Sequence, residues 1–193
     1  MLARFWMWVM TRTPDRDFVR VVPQSKPMSC GAAALATLLR EVHGEAVDEA
    51  SVIDALGTDG ETSLDDLRRA ASVFGYKAEG YAADFEALER LRQPCVLHLR
   101  RLGQGHFVVL RGLGKDCIWI ADPAAGNVRL SRQRFSRLWL HRAGEGRLLL
   151  VSAPGTSGEA ATTPLQETPP KQILDLFPVT RRKRRRRQEC ENH

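Results

Sequence analysis

The sequence is poor in cysteine, and the few it has fall in no metal-binding spacing. Cys30, Cys95, Cys117 and Cys190 are spread over 193 residues without a Cys-x-x-Cys pair, which argues against a disulfide scaffold and a zinc centre. No apolar run approaches the roughly 18 residues that a membrane-spanning helix requires. Net charge is also scarce in the body of the chain. The total is +6, but the run Arg181–Arg187 alone holds seven of the 29 cations. With Glu189 and Glu191 set aside as well, residues 1–180 carry 22 cations against 21 anions. A nearly neutral body argues against a nucleic-acid enzyme with a basic cleft. What the chain does have is apolar side chain, 43% of residues, enough for a core and too much for overall disorder. Its length suits one ordinary domain with flexible ends.

Both ends depart from that composition. Residues 1–20 open with a short apolar stretch, Phe5 to Met10, below the length of a secretion-signal core and with no small-residue cleavage site after it. Two readings stay open for it: a frayed N-terminus, and the remnant of a signal. From Ala153 to about Pro170 the chain turns to Pro, Gly, Ser, Thr and Glu, a linker composition with little apolar surface to offset ordering entropy. The apolar segment Ile173–Phe177 and the arginine run follow. That run reads first as a solvated, self-repelling tail. The alternative is attraction to an anionic membrane surface, worth about 1 kcal/mol per basic residue near such lipid. No aromatics interleave with the arginines, so the bases of a nucleic acid would have nothing to stack on. The expected organisation is an N-terminal segment over 1–20, one domain over 21–153, and a linker with a basic tail over 154–193.

Within the domain, helical periodicity comes first. Residues 31–43 place Leu35, Leu38, Leu39 and Val42 at three- and four-residue spacing, with Ala32–Ala34 as a flat face and Gly44 as the stop. Further helices are expected over 48–56, opened by Asp48, and over 64–74, with Ser63 as N-cap and Asp66 three residues on. A short fourth helix opens at Asp84 and is barred by Pro94. After Pro94 the period changes, and the runs from Cys95, Phe107, Cys117 and Leu148 read as strands between Gly-rich turns. One more helix, capped by Ser131, carries Phe135, Leu138 and Trp139. Helices followed by an antiparallel sheet make an α+β fold of two lobes with room for a cleft.

Cys30 opens the best helix in the sequence. Unpaired N–H groups and the positive end of the helix dipole there favour a thiolate. A buried small hydrophobe is the default for any cysteine, but Cys30 follows a Pro-containing loop and lies in no apolar stripe. Gln24, six residues upstream across that loop, has two readings: an amide that swings back to join the Cys30 N–H in an oxyanion hole, and the commoner surface-loop glutamine. The base must come from elsewhere. His43 ends the same helix, roughly 20 Å away along its axis. His98 lies within an apolar strand, His141 follows a helix and His193 is terminal. His106 opens a strand after Gly103-Gln104-Gly105, and Asp122 closes the next one before Pro123. Directly opposed residues of an antiparallel pair share a face. Setting His106 opposite Asp122 predicts a three-residue hairpin loop, Leu113-Gly114-Lys115, and a Cys–His–Asp relay. Cys95 and His98 sit three apart on a strand, on opposite faces, and cannot share a metal.

The segments Gln24–Leu35, His106–Leu110 and Ala121–Pro123 resemble the C39 peptidases, papain-like cysteine proteases, over about Val21 to Val151. The resemblance implies a papain-like fold, with an N-terminal helical lobe and a C-terminal antiparallel sheet. It gives Cys30 as nucleophile, His106 as base, Asp122 as orienting acid and Gln24 as oxyanion donor, with no cofactor. It also implies cleavage of a peptide or leader after a double-glycine-type motif in bacterial secretion, with an exporter or outer-membrane secretion partner. Stand-alone C39 proteins, some exported to the periplasm with functional-amyloid systems, are the most similar in the intervening text. The implied location is periplasmic or inner-membrane-associated, with the cytoplasm left open. Two other functions remain on the same constellation: a docking module that binds leaders without cutting, and acyl transfer to an acceptor other than water.

Overall fold

The computed structural model describes residues 18–91, 93–101, 103–141 and 144–153; most of the expected N-terminal segment and the whole linker and basic tail lie outside them. The expected helices form with small shifts at their ends. α1, Cys30–His43, stops at Gly44, which adopts the left-handed conformation at φ 75° and closes the helix with two backbone bonds. α2, Glu49–Leu56, starts where the Asp48 carboxylate accepts the Ser51 N–H. α3, Leu64–Val73, opens on a reciprocal capping box between Ser63 and Asp66. α4 is Phe85–Leu91, and α5, Arg132–Trp139, is capped by the Ser131 side chain.

Four strands match the apolar runs: β2, Cys95–Arg101; β3, Gln104–Leu113; β4, Cys117–Asp122; and β6, Gly146–Ser152. Two more escaped the sequence reading, β1, Lys77–Ala83, and β5, Gly126–Ser131. Both are edges of a single antiparallel sheet ordered β1-β6-β2-β3-β4-β5. Edge strands are the place where apolar patterning fades, and in β1 only Ala78 is buried.

The α+β class therefore holds, but the halves are less separate than expected. β1 lies between α3 and α4 in sequence and binds the helical half into the sheet through β6. Helices cover both faces. On one, Leu35, Leu38, Leu39, Val52 and Leu67 of α1–α3 meet Val96, Phe107, Val109, Ala121 and Leu149. On the other, Leu88 of α4 and Phe135 and Trp139 of α5 meet Leu97, Val108, Leu110, Ile118 and Ile120. Burial on both faces explains why the inner strands read as continuous apolar runs rather than alternating ones. Each fully buried leucine contributes about 1.5–3 kcal/mol relative to exposure, so α1, with three of them, is anchored by packing.

Candidate active site

Cys30 is the first residue of α1 and is buried. The small residues at the start of the helix set its depth. A side chain at Gly31 would overlap the Thr62 hydroxyl and lie 3.2 Å from Phe107, so glycine lets the helix start press against β3. The sulfur thereby reaches the backbone of Phe107 and the ring of His106. As the first helical residue, Cys30 has an N–H with no intrahelical acceptor.

His106 lies near the start of β3 and Asp122 at the end of β4, and Nε2 of the imidazole is 2.7 Å from the Asp122 carboxylate. With Nε2 engaged there, Nδ1 is the nitrogen left for the sulfur. The backbone N–H of Ala124 donates to the same carboxylate oxygen at 2.9 Å and fixes its orientation.

The hairpin that joins these residues is not the one expected. Leu113 pairs with Ile118 and Gly112 with Trp119, so the connection is Gly114–Asp116 rather than Leu113-Gly114-Lys115. Continued unchanged, that register would put His106 and Asp122 on opposite faces. The ladder shifts between Leu110 and Gly112, leaving Arg111 as the extra residue of a bulge, and beyond it Leu110 pairs with Ile120 and Val109 with Ala121. The shift restores the shared face. Extended by one step, it sets Asp122 level with Val108 and His106 two residues further along. The pair meets on a diagonal, not directly across.

Burial alone would push the Cys30 thiol up. The hydrogen bond to His106, the Phe107 backbone, the charge of His106 and the Gly31 N–H outweigh it and hold the thiol below its ordinary 9.0. Burial pushes His106 down, but its hydrogen bonds to Asp122 and Cys30 and their negative charges raise it to about 10. The two shifts reinforce each other, both favouring the thiolate–imidazolium pair, and the groups titrate as a coupled pair.

Gln24 lies in the loop before α1. Its side-chain amide donates to Lys26 O at 2.8 Å and Pro27 O at 3.2 Å, while its Oε1 is buried without a hydrogen-bond partner. The loop is braced on three sides. Gln24 N–H donates to Pro123 O at 3.0 Å, directly after Asp122, and Ser25 N–H donates to the buried Glu49 carboxylate at 2.9 Å. Lys26 pairs with Asp59. The segment leading into the loop is held by residues that carry no recognisable motif. Arg111, on the bulge, donates to the Arg20 carbonyl and to Asn127 Oδ1, and Asn127 in turn donates to Val19 O at 3.0 Å. Thr37, on α1, accepts the Val22 N–H at 2.9 Å. What marks Asn127 and Glu49 is their burial, and burial is not written in a single sequence.

The remaining candidates are elsewhere. Cys95 is fully buried in the sheet, which pushes its thiol up and makes it inert. His43 packs against Tyr76 at the far end of α1, with ring centroids 4.6 Å apart and the planes tilted by 49°. Among the described residues no cluster of ligating side chains could hold a metal ion, and no helix is long and apolar enough to cross a membrane.

A cysteine at a helix start, an imidazole beside it and a carboxylate behind the imidazole define the class: an α+β protein built around a cysteine–histidine–carboxylate site. The chain belongs to the Peptidase C39 family, whose model matches residues 19–145. It is 31% identical to the "Probable functional amyloid protease FapD" of Pseudomonas aeruginosa over 86% of this chain and 76% of that protein. It is 38% identical to its Pseudomonas fluorescens counterpart over 65% of this chain, a stretch that spans 59% of that relative's length. A solved double glycine motif protease from an AMS/PCAT transporter, in complex with its leader peptide, superposes with a TM-score of 0.57 at 31% identity. That likeness covers 72% of this chain and 94% of the other.

Proposed function

We propose that this protein is a cysteine endopeptidase of papain-like arrangement that cleaves a peptide or leader after a double-glycine-type motif, in a bacterial secretion pathway. The observation that carries the reading is His106, which touches both the Cys30 sulfur and, through Nε2, the Asp122 carboxylate. The Cys30 thiolate attacks the scissile carbonyl, and His106 gives its proton to the leaving amine. A water molecule, deprotonated by the now neutral His106, hydrolyses the acyl-enzyme. Asp122 keeps the ring oriented and its charge balanced. The oxyanion is received by the Cys30 N–H and by Gln24, whose longer bond, to Pro27 O at 3.2 Å, is the one to yield. Relatives named as proteases and a solved leader-peptide complex support the substrate class. The same likeness supports work alongside an exporter or outer-membrane secretion machinery, at the periplasm or inner membrane.

Mass spectrometry of Gly-Gly peptides incubated with the protein tests this reading. Cleavage after the second glycine is expected, with loss of all product in Cys30→Ala. Product from a folded Cys30→Ala protein would exclude covalent thiol chemistry. Replacing either glycine by Val is expected to lower kcat/KM sharply, as a double-glycine specificity requires. Equal turnover of the Val peptide would make the protein a general protease instead of a leader peptidase.

A further inference from the structure

α1 covers the β2–β3 face of the sheet only as far as Phe107, against which Gly31 is seated. Past the helix start the same face carries Gly105 and Arg100, both exposed among the described residues. Val96 faces the α1 side of the core, and alternation along β2 puts His98 and Arg100 on that side too. His98 pairs with Phe107 on β3 and with Arg147 on β6, and Arg100 pairs with Gly105. Gly105 is small for a reason: a Cβ there would overlap the His98 imidazole, so the ring lies over the glycine backbone. His141, from the turn before β6, stacks on His98 with ring centroids 6.3 Å apart. The result is a cluster of two arginines and two imidazoles around Gly105, the residue before His106, near enough that the charge of His106 acts on His98.

The cluster is uncompensated. No ion pair engages Arg100 or Arg147 among the described residues, although both are exposed. Burial, then the neighbouring cations and the other imidazole, push His98 down, and burial and the two arginines do the same to His141. The nearest acidic residue in sequence, Glu145, meets His141 through its backbone carbonyl. His141 Nε2 is buried without a partner. Like charges brought together without a counter-ion repel one another. A carboxylate arriving at the cluster would relieve that repulsion and match the planar forks of the guanidiniums.

We propose that His98, Arg100, His141 and Arg147 form a substrate subsite for an acidic side chain, an Asp or Glu close to the scissile bond. The proposal rests on the peptidase reading above, and one experiment separates the two. Fluorescent peptides with a central Gly-Gly and a single Glu, or Gln in its place, walked through the flanking positions are titrated against the Cys30→Ala protein. At one position or two neighbouring ones, Glu should bind about tenfold tighter than Gln at low ionic strength, the difference shrinking as salt screens the exposed arginines. In Arg100→Gln/Arg147→Gln made on Cys30→Ala, the Glu-to-Gln ratio should fall to about one. A ratio near one at every position, absence of binding, or a preference that survives the double substitution would overturn the subsite. Turnover of the Gln peptides by the unsubstituted protein reports the peptidase reading alone. A Glu preference without turnover would leave the subsite standing and remove the protease.

Discussion

A cysteine buried as Cys30 is would be inert without the groups that hold its proton off. His106 supplies most of that effect, so the reactivity of the thiol depends on one imidazole. Cys30 is expected to be the first cysteine modified by iodoacetamide, with a rate that rises at pH below the ordinary thiol range; in His106→Ala the rise should move upward. Earlier labelling of another cysteine in the folded protein would overturn the assignment. Activity should follow a bell. Its acid limb is set by Cys30, lowered from 9.0, and its alkaline limb by His106, near 10. Asp122→Asn should cost less activity than His106→Ala, since the carboxylate orients the base and takes no proton. Equal losses in folded variants would make Asp122 a brace for the end of β4. Gln24→Ala should lower kcat by roughly 10²–10³ at nearly constant KM, as loss of an oxyanion donor does; a change confined to KM would make it a residue for ground-state binding.

At the scale of elements, the bulge at Arg111 does two jobs. It corrects the face of the His106–Asp122 pair, and it aims a guanidinium at the chain leading to Gln24. Burial holds that guanidinium down, to about 10, so its hydrogen bonds are not idle surface contacts. Arg111→Ala is expected to cost about 1–3 kcal/mol in chemical denaturation, the usual penalty for stranding buried polar partners. It should also lower kcat at temperatures where the variant is fully folded, and Arg111→Lys should not restore it, because an ammonium cannot serve both acceptors as a fork does. Gly146→Ala would drive a methyl group into the Trp139 ring and should cost about 1–3 kcal/mol as overpacking, read as a lower thermal midpoint. Cys30, His106 and Asp122 could be singled out as candidates because each sits at or near the start or end of an element, next to glycine or proline, and because parity along a strand can be counted; Gln24 lies in the loop before α1. The route by which His106 and Asp122 come to share a face was not legible. A one-residue register shift leaves no local composition, and the expected odd-length turn reached the right face by the wrong path. β1 and β5 were missed because edge strands carry little apolar pattern, and Glu49, Thr37 and Asn127 because their importance comes from burial.

For the whole molecule, the last of the described strands in sequence does not lie at an edge of the sheet but one place in. β6 separates β1 from β2 and is the sheet partner that joins β1 to the rest. The family match ends at residue 145, one residue short of it. A chain ending at Ala153 keeps every described element and should unfold cooperatively and retain activity on soluble peptides. A chain ending at Glu145 keeps all four site residues, yet should show no cooperative transition; a sharp melt or retained cleavage there would contradict the role given to β6. The same arrangement bears on how the protein is born. Synthesis proceeds from the N-terminus at roughly 5–20 residues per second, so Cys30, His106 and Asp122 all leave the ribosome before the strand that joins β1 to the sheet. A half-made chain therefore carries the candidate site residues without the strand that ties β1 to the sheet, and on the proposed function the ability to cut should arrive only once β6 has emerged.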